Sequence, residues 1–244
     1  MACEGGPGLV RTVLVWWRES AARSGQFSTT KQFGQRLCDF ARESMPDRRR
    51  RRYGDLDYDW EYRVNTTGAT VGWRDRLLGA FLSTYQPTEP GLFYEMLSSL
   101  RIDYPAFTFL DLGSGKGRAL LMAADYPFKK IVGVEVLPSL HQTALENIRH
   151  YKSPSRRCQF IVSVCGDARY FELPAEPTVL YLFNPLPEAA LREVVERLEN
   201  SLRFHPRPLW VLYHNPLHED LVARADILEK VAGTHQYSVY RSRL

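Results

Sequence analysis

Phe107-Thr-Phe-Leu110 runs directly into Asp111-Leu-Gly-Ser-Gly-Lys-Gly-Arg118, and Ala119-Leu-Leu-Met-Ala-Ala124 follows. An apolar run, a glycine-rich turn and a second apolar segment predict a buried strand, a tight connection and a helix start. Such a connection presents backbone N–H groups and a helix N-terminus to a ligand. The glycine spacing narrows which ligand. Gly113, Gly115 and Gly117 read G-x-G-x-G, whereas the dinucleotide fingerprint is G-x-G-x-x-G with a pyrophosphate at the helix end. Asp111, directly before the turn, sits badly beside a pyrophosphate and suits a cofactor that carries an ammonium group.

Working outward, Lys130-Ile-Val-Gly-Val-Glu135 is a compact apolar strand that ends in an acid. The run Gln159-Phe-Ile-Val-Ser-Val164 leads into Cys165-Gly-Asp-Ala168, and Thr178-Val-Leu-Tyr-Leu-Phe183 leads into Asn184-Pro-Leu-Pro187. A fifth strand, Pro208-Leu-Trp-Val-Leu-Tyr213, ends at His214-Asn-Pro216. Residues 188–203 carry Leu191, Val194, Val195, Leu198 and Leu202 with helical spacing. The stretches 226–232 and 236–241 are spaced as an antiparallel hairpin around Gly233 and Thr234. Taken singly, the glycines serve any tight turn, Glu135 reads as a solvated loop residue, and Asp167 reads as a turn former. Their shared register separates them from that background. In an open α/β sheet, ligands bind outside the carboxyl ends of the strands, and Asp111, Glu135, Asp167 and Asn184 all fall there.

This pattern resembles the class I S-adenosylmethionine (SAM)-dependent methyltransferases. The resemblance implies an α/β fold with a Rossmann-like seven-stranded sheet, mostly parallel with one antiparallel strand. It implies that Gly113, Ser114, Gly115 and Gly117 wrap the methionine part of SAM, with Asp111 near its ammonium. Glu135 would hold the ribose hydroxyls, and Asp167 with Ala168 the adenine. Asn184-Pro185-Leu186-Pro187 is similar to the Asn/Asp-Pro-Pro-aromatic motif of amino-methylating enzymes, in which the Asn orients the target nitrogen. Leu186 and Pro187 depart from that motif, which weakens a nucleobase acceptor and favours an aliphatic amine such as a protein lysine. Upstream, Tyr85-x-Pro87-Thr88 resembles a stretch of the lysine methyltransferases that modify the ATP synthase c subunit; non-SET histone-lysine methyltransferases share Asp-Leu-Gly-Ser-Gly. There the upstream loop folds over the methionine end, which would bring Tyr85, Gln86 and Thr88 near the reacting methyl group. Uncharacterised bacterial methyltransferases look similar too. The expected function is methyl transfer to a nitrogen, with small-molecule or nucleic-acid methylation and a non-catalytic SAM-binding protein as alternatives.

The chain has 244 residues, 44% of them hydrophobic and 25% charged, as in ordinary globular proteins. Residues 1–88 are expected as a helical and irregular cap, with helices around 8–23 and 29–44 and an aromatic-rich irregular stretch at 53–75. Residues 89–244 are expected as the methyltransferase domain. The net charge of +4 is concentrated in Arg48–Arg52, closely followed by Asp55, Asp57, Asp59 and Glu61. That block reads as a solvated linker more than as a nucleic-acid patch. The four cysteines show no C-x-x-C, and Cys158 and Cys165 flank a strand as small apolar thiols, so a reduced, cytoplasmic location is expected. The apolar stretch 8–17 is short and broken by Arg11, so neither a leader peptide nor a membrane span is expected. His214 and Tyr213 are acid–base candidates, while His205, His218 and His235 show no metal-ligand spacing. No covalent-catalysis triad is visible, and the sequence does not name the oligomeric state.

Overall fold

The structure, a computed structural model, describes residues 7–45, 56–183 and 186–243. Arg48–Arg52 and the proposed acceptor-orienting Asn184 lie outside the described residues. Seven strands, β1 (Thr108–Leu112), β2 (Lys130–Glu135), β3 (Ile161–Cys165), β4 (Thr178–Phe183), β5 (Leu209–His214), β6 (Leu228–Gly233) and β7 (Tyr237–Ser242), form one sheet. Its order is β3-β2-β1-β4-β5-β7-β6. The pairs among β1 to β5 are parallel, and β7 runs antiparallel to both β5 and β6. The 226–241 hairpin is therefore present, with a register irregularity between Lys230 and Ala232. Strand order reverses between β1 and β4, so the glycine turn after β1 stands at the topological switch point.

Every residue of β1 is buried, which is why it reads as a continuous apolar run and not as an alternation. Its residues split between two packing layers. Phe109 joins Phe93, Met96 and Leu120 on one face, and Leu110 and Leu112 join Leu180, Leu191 and Leu198 on the other. The apolar stripe expected on 188–203 is the buried side of a helix spanning Glu188–Phe204. Each fully buried leucine of that stripe contributes about 1.5–3 kcal/mol relative to exposure.

The N-terminal region differs in part from expectation. One helical run, α1 (Leu9–Glu43), is interrupted only at Gly25, where φ 78° and ψ 161° break the ladder. Residues twelve apart on a straight helix lie about 18 Å apart, yet Ser20 Oγ and Gln32 Oε1 are 3.2 Å apart. The run is thus two antiparallel arms, and Trp16 and Phe33 stack across them with centroids 6.2 Å apart. The two expected helices are present, but the turn is Gly25 itself and not a four-residue loop. The stretch 53–75 is more regular than its sequence suggests. Within it lie α2 (Leu56–Tyr62), a 3-10 turn at Gly68–Thr70 and the start of α3 (Trp73–Phe81). Tertiary burial stabilises these short helices, since Tyr58 enters the same core as the sheet. Trp16 packs edge-on to Phe81 at 5.3 Å, which seats α1 on α3. Cys38 and Cys158 are free, whereas Cys165 is disulfide-bonded, against the expectation of a free thiol. Among the described residues no helix is long and apolar enough to cross a membrane.

Candidate active site

The turn after β1 is built from three left-handed residues, Gly113 (φ 86°), Gly115 (φ 53°) and Gly117 (φ 85°). Any other L-residue there costs about 1–2 kcal/mol. The turn's N–H groups are spent internally. Gly113 and Ser114 both donate to Val134 O (2.8 and 3.0 Å), and Gly117 donates to Ser114 O (2.8 Å). Gly115 donates to Glu135 Oε2 (2.8 Å). Four donors that could cradle a phosphate are thereby occupied, and two carboxylates stand beside them.

Asp111 and Glu135 are both buried at the carboxyl ends of neighbouring strands. Burial pushes the Asp111 carboxyl well above its ordinary range, and the charge of Glu135 adds to the effect. Burial also raises Glu135, opposed by the N–H groups of Leu137 and Gly115. Among the described residues neither carboxylate forms an ion pair. Ser114 Oγ, also buried, has no hydrogen-bond partner among the described residues. It lies where a Cβ on Gly133 would come within 2.6 Å of it, so Gly133 of β2 makes room for Ser114.

The loop 82–89, between α3 and the helix α4 (Pro90–Ser98), crosses this turn. Tyr85 lies so close that a Cβ on Gly115 would fall 2.2 Å from its ring, and its hydroxyl donates to Thr66 O at 2.5 Å. Thr88 is buried with Oγ1 3.3 Å from the Tyr181 hydroxyl. Gln86 is exposed. Sequence reasoning missed three buried polar residues that hold this segment. Arg118 opens the helix α5 (Arg118–Ala123) yet is only 2% exposed, and pairs with Asp59 at 3.3 Å. Lys116 Nζ donates to Thr67 O (2.8 Å) and Asn65 Oδ1 (3.2 Å), and burial lowers its pKa to about 8. Asn147, on the helix α6 (Pro138–His150), donates to Lys116 O and Asn65 O and accepts from Asn65 N. Loop-like spacing gave no sign of them, although a Lys and an Arg inside an apolar, glycine-rich turn were the available signal.

Beyond the switch point the chemistry changes. Tyr181, in the middle of β4, is fully buried, and its hydroxyl lies 2.9 Å from His214 Nδ1 at the end of β5. His214 stacks on Phe183 at 3.9 Å with 8° between the planes. Burial lowers the His214 pKa to about 4, so it is neutral at pH 7. The Tyr213 hydroxyl is turned to His218 N and leaves the acid–base candidacy to His214. Asp167 stands after β3, gripped by Arg169 through Nε (3.1 Å) and Nη2 (2.7 Å), with Ala168 half-buried beside it. Among the described residues no group of His, Cys, Asp and Glu is placed to hold a metal.

No protein-family profile matches the chain, and no curated protein matches its sequence. Solved structures do. One is an RNA methyltransferase from Salinibacter ruber in complex with S-adenosyl-L-homocysteine, with 21% identity over 64% of this chain and 92% of that chain (TM-score 0.43). Another is a predicted N6-adenine-specific DNA methylase from Listeria monocytogenes, with 15% identity over 64% and 51% (TM-score 0.48). A third is the glycopeptide N-methyltransferase MtfA complexed with sinefungin, with 13% identity over 64% and 86% (TM-score 0.45). At such identities the likeness is one of chain arrangement and names no acceptor. The sheet has the seven strands, mostly parallel with β7 antiparallel between β5 and β6, that the sequence led us to expect.

Proposed function

We propose that this chain is a SAM-dependent methyltransferase acting on a nitrogen acceptor. The observation that carries the reading is the pair of buried carboxylates Asp111 and Glu135, without an ion-pair partner among the described residues, beside a glycine turn whose N–H groups are already spent. That chemistry repels a phosphate and receives a cationic, hydroxyl-bearing cofactor. SAM supplies a methyl group on a positive sulfur, ready for in-line displacement. Asp111 would meet its ammonium, and Ser114 Oγ supplies a buried hydrogen-bonding atom that the protein itself leaves unused. Glu135 accepts the N–H groups of Gly115 and Leu137, and its remaining acceptor capacity would serve the ribose hydroxyls. Asp167 and Ala168 are assigned to the adenine, and Gly113, Gly115 and Gly117 to close backbone approach. Tyr85 and Thr88 close the site.

Asn184 is assigned to the acceptor, on the strength of its motif. The wall formed by Tyr181, Phe183 and His214 supports an amine, protein lysine included, because a neutral, apolar surface favours the uncharged nucleophile over the ammonium. Positioning of nucleophile and methyl group alone is worth about 7–11 kcal/mol. Residues 1–88 are proposed as cap and 89–244 as the catalytic unit.

Calorimetric titration with SAM and S-adenosylhomocysteine tests the cofactor, with Gly115→Arg as the blocked form. Saturable binding that the variant lacks supports the reading and leads to acceptor screening among peptides, amines and RNA. Absence of binding to the folded wild-type chain overturns it.

A further inference from the structure

The two cations of the glycine turn, Lys116 and Arg118, point neither to solvent nor to a carboxylate of the sheet. Both reach into the segment 59–70. Arg118 Nη2 pairs with Asp59 Oδ1, Nε donates to Thr66 Oγ1 at 2.6 Å, and the guanidinium lies 4.9 Å from the Tyr58 ring centre. Asp59 is the hub of the far side. Its Oδ2 accepts the N–H groups of Thr66 and Thr67, each at 2.8 Å, and its Oδ1 accepts the Thr66 hydroxyl. Thr66 in turn offers its carbonyl to the Tyr85 hydroxyl, and the Tyr85 ring rests on Gly115. The contacts make a closed circuit that leaves the glycine turn at Arg118 and returns to it at Gly115.

An Arg–Asp pair with side chains 1% and 6% exposed is a poor device for stability alone, since desolvation of both charges offsets their attraction. What such a pair does well is fix geometry, because the guanidinium fork and the carboxylate accept only a few arrangements. Here the geometry fixed is that of Thr66 and, through it, the ring lying over the cofactor turn.

We propose that Asp59 and Arg118 are positioning residues for cofactor binding, acting through Thr66 and Tyr85 on the glycine turn. This rests on the SAM reading above and adds a determinant of affinity from outside the sheet, in the segment before residue 89. The circuit predicts that Asp59→Asn, which keeps shape and removes charge, weakens SAM binding about tenfold or more, equivalent to about 1.4 kcal/mol. Arg118→Lys, which keeps charge and loses the fork, does the same. Tyr85→Phe keeps the ring and removes the hydroxyl that bonds Thr66, so it weakens binding in the same direction. Combined with Asp59→Asn it adds little, because both cut one circuit.

The experiment is SAM titration of the wild type, the three single variants and the Asp59→Asn/Tyr85→Phe pair. Each is checked by urea unfolding and by amide hydrogen exchange over 65–70 and 113–117. A purely structural pair would lower the urea midpoint and leave the SAM affinity of the folded fraction unchanged. The proposal expects weaker binding by folded protein, faster exchange in both segments, and non-additive variants. Wild-type-like SAM affinity in folded Asp59→Asn overturns it, as does additivity. If the wild type binds no SAM, the cofactor reading is what fails. Exchange then decides the circuit by itself: unchanged protection of 113–117 in Asp59→Asn overturns it.

Discussion

The carboxyl ends of β1 and β2 and those of β4 and β5 stand side by side in one sheet with opposite electrostatic characters. The first half presents Asp111 and Glu135, two buried acids that form no ion pair among the described residues. The second presents Tyr181, Phe183 and His214, a stacked and hydrogen-bonded group that is neutral at pH 7. The backbone is alike in the two halves, a parallel ladder held in one sheet. The side chains set them apart. One half gathers two acids, and the other is neutral at pH 7.

The comparison breaks most visibly at Asp111. Asp111→Asn should weaken SAM binding about 100-fold, or about 2.7 kcal/mol, within the range for hydrogen bonds to charged groups. Methylthioadenosine, which lacks the amino-acid part, should bind the variant as it binds the wild type. Equal losses for both ligands in competition titrations would move Asp111 away from the ammonium.

The neutral half can be tested by acid. The folded-state pKa of His214, about 4, lies below its ordinary 6.5. Between those values the unfolded chain binds more protons, so stability is full above about pH 6.5 and lost as the pH falls toward 4. With the ring buried, the loss is expected at up to about 3 kcal/mol. In His214→Gln the fall of the urea midpoint over that window should be shallower, and an unchanged slope would show that His214 is not the titrating group. A smaller effect is expected from Tyr181→Phe, about 1 kcal/mol of stability from a lost hydrogen bond, with SAM affinity unaltered. Weaker SAM binding would make Tyr181 part of the cofactor half.

The finest distinction is a proton count. Because burial holds the Asp111 carboxyl above its usual range, an arriving ammonium favours the ionised form and expels protons. SAM titrations in two buffers of different ionisation enthalpy should show release of less than one proton, absent in Asp111→Asn.

The sheet half of the molecule was legible because its signals are local. The edges of β2 and β4 follow the apolar runs 130–135 and 178–183, and Glu135 closes its run at the position where the turn needs an acceptor for Gly115. Asp111 was found for its charge but lies within β1 and not after it. The segment 56–88 was not legible, because long-range burial fixes it. Arg118 in a helix's first turn ordinarily reads as a surface cation, and partners distant in sequence, Asp59 and Thr66 among them, make it a buried one. The short α2 has too few residues for periodicity to show. Asp167 was placed by register, yet its Arg169 clamp depends on a side-chain contact that no strand pattern encodes.

The circuit through Asp59 and Arg118 also bears on the order in which the protein assembles and comes apart. Its central ion pair joins residues 59 apart, and the Lys116 contact with Thr67 spans 49. The segment 59–70 precedes the strands in the chain, and the circuit can close only when β1 and the turn after it exist. None of its bonds belongs to a strand ladder. It can therefore open while every strand pairing persists, as a local unfolding step of lower free energy than the global one. Heat or mild denaturant would then abolish ligand capture at a point where circular dichroism still records a folded chain, and functional half-life would be set by a latch and not by the core.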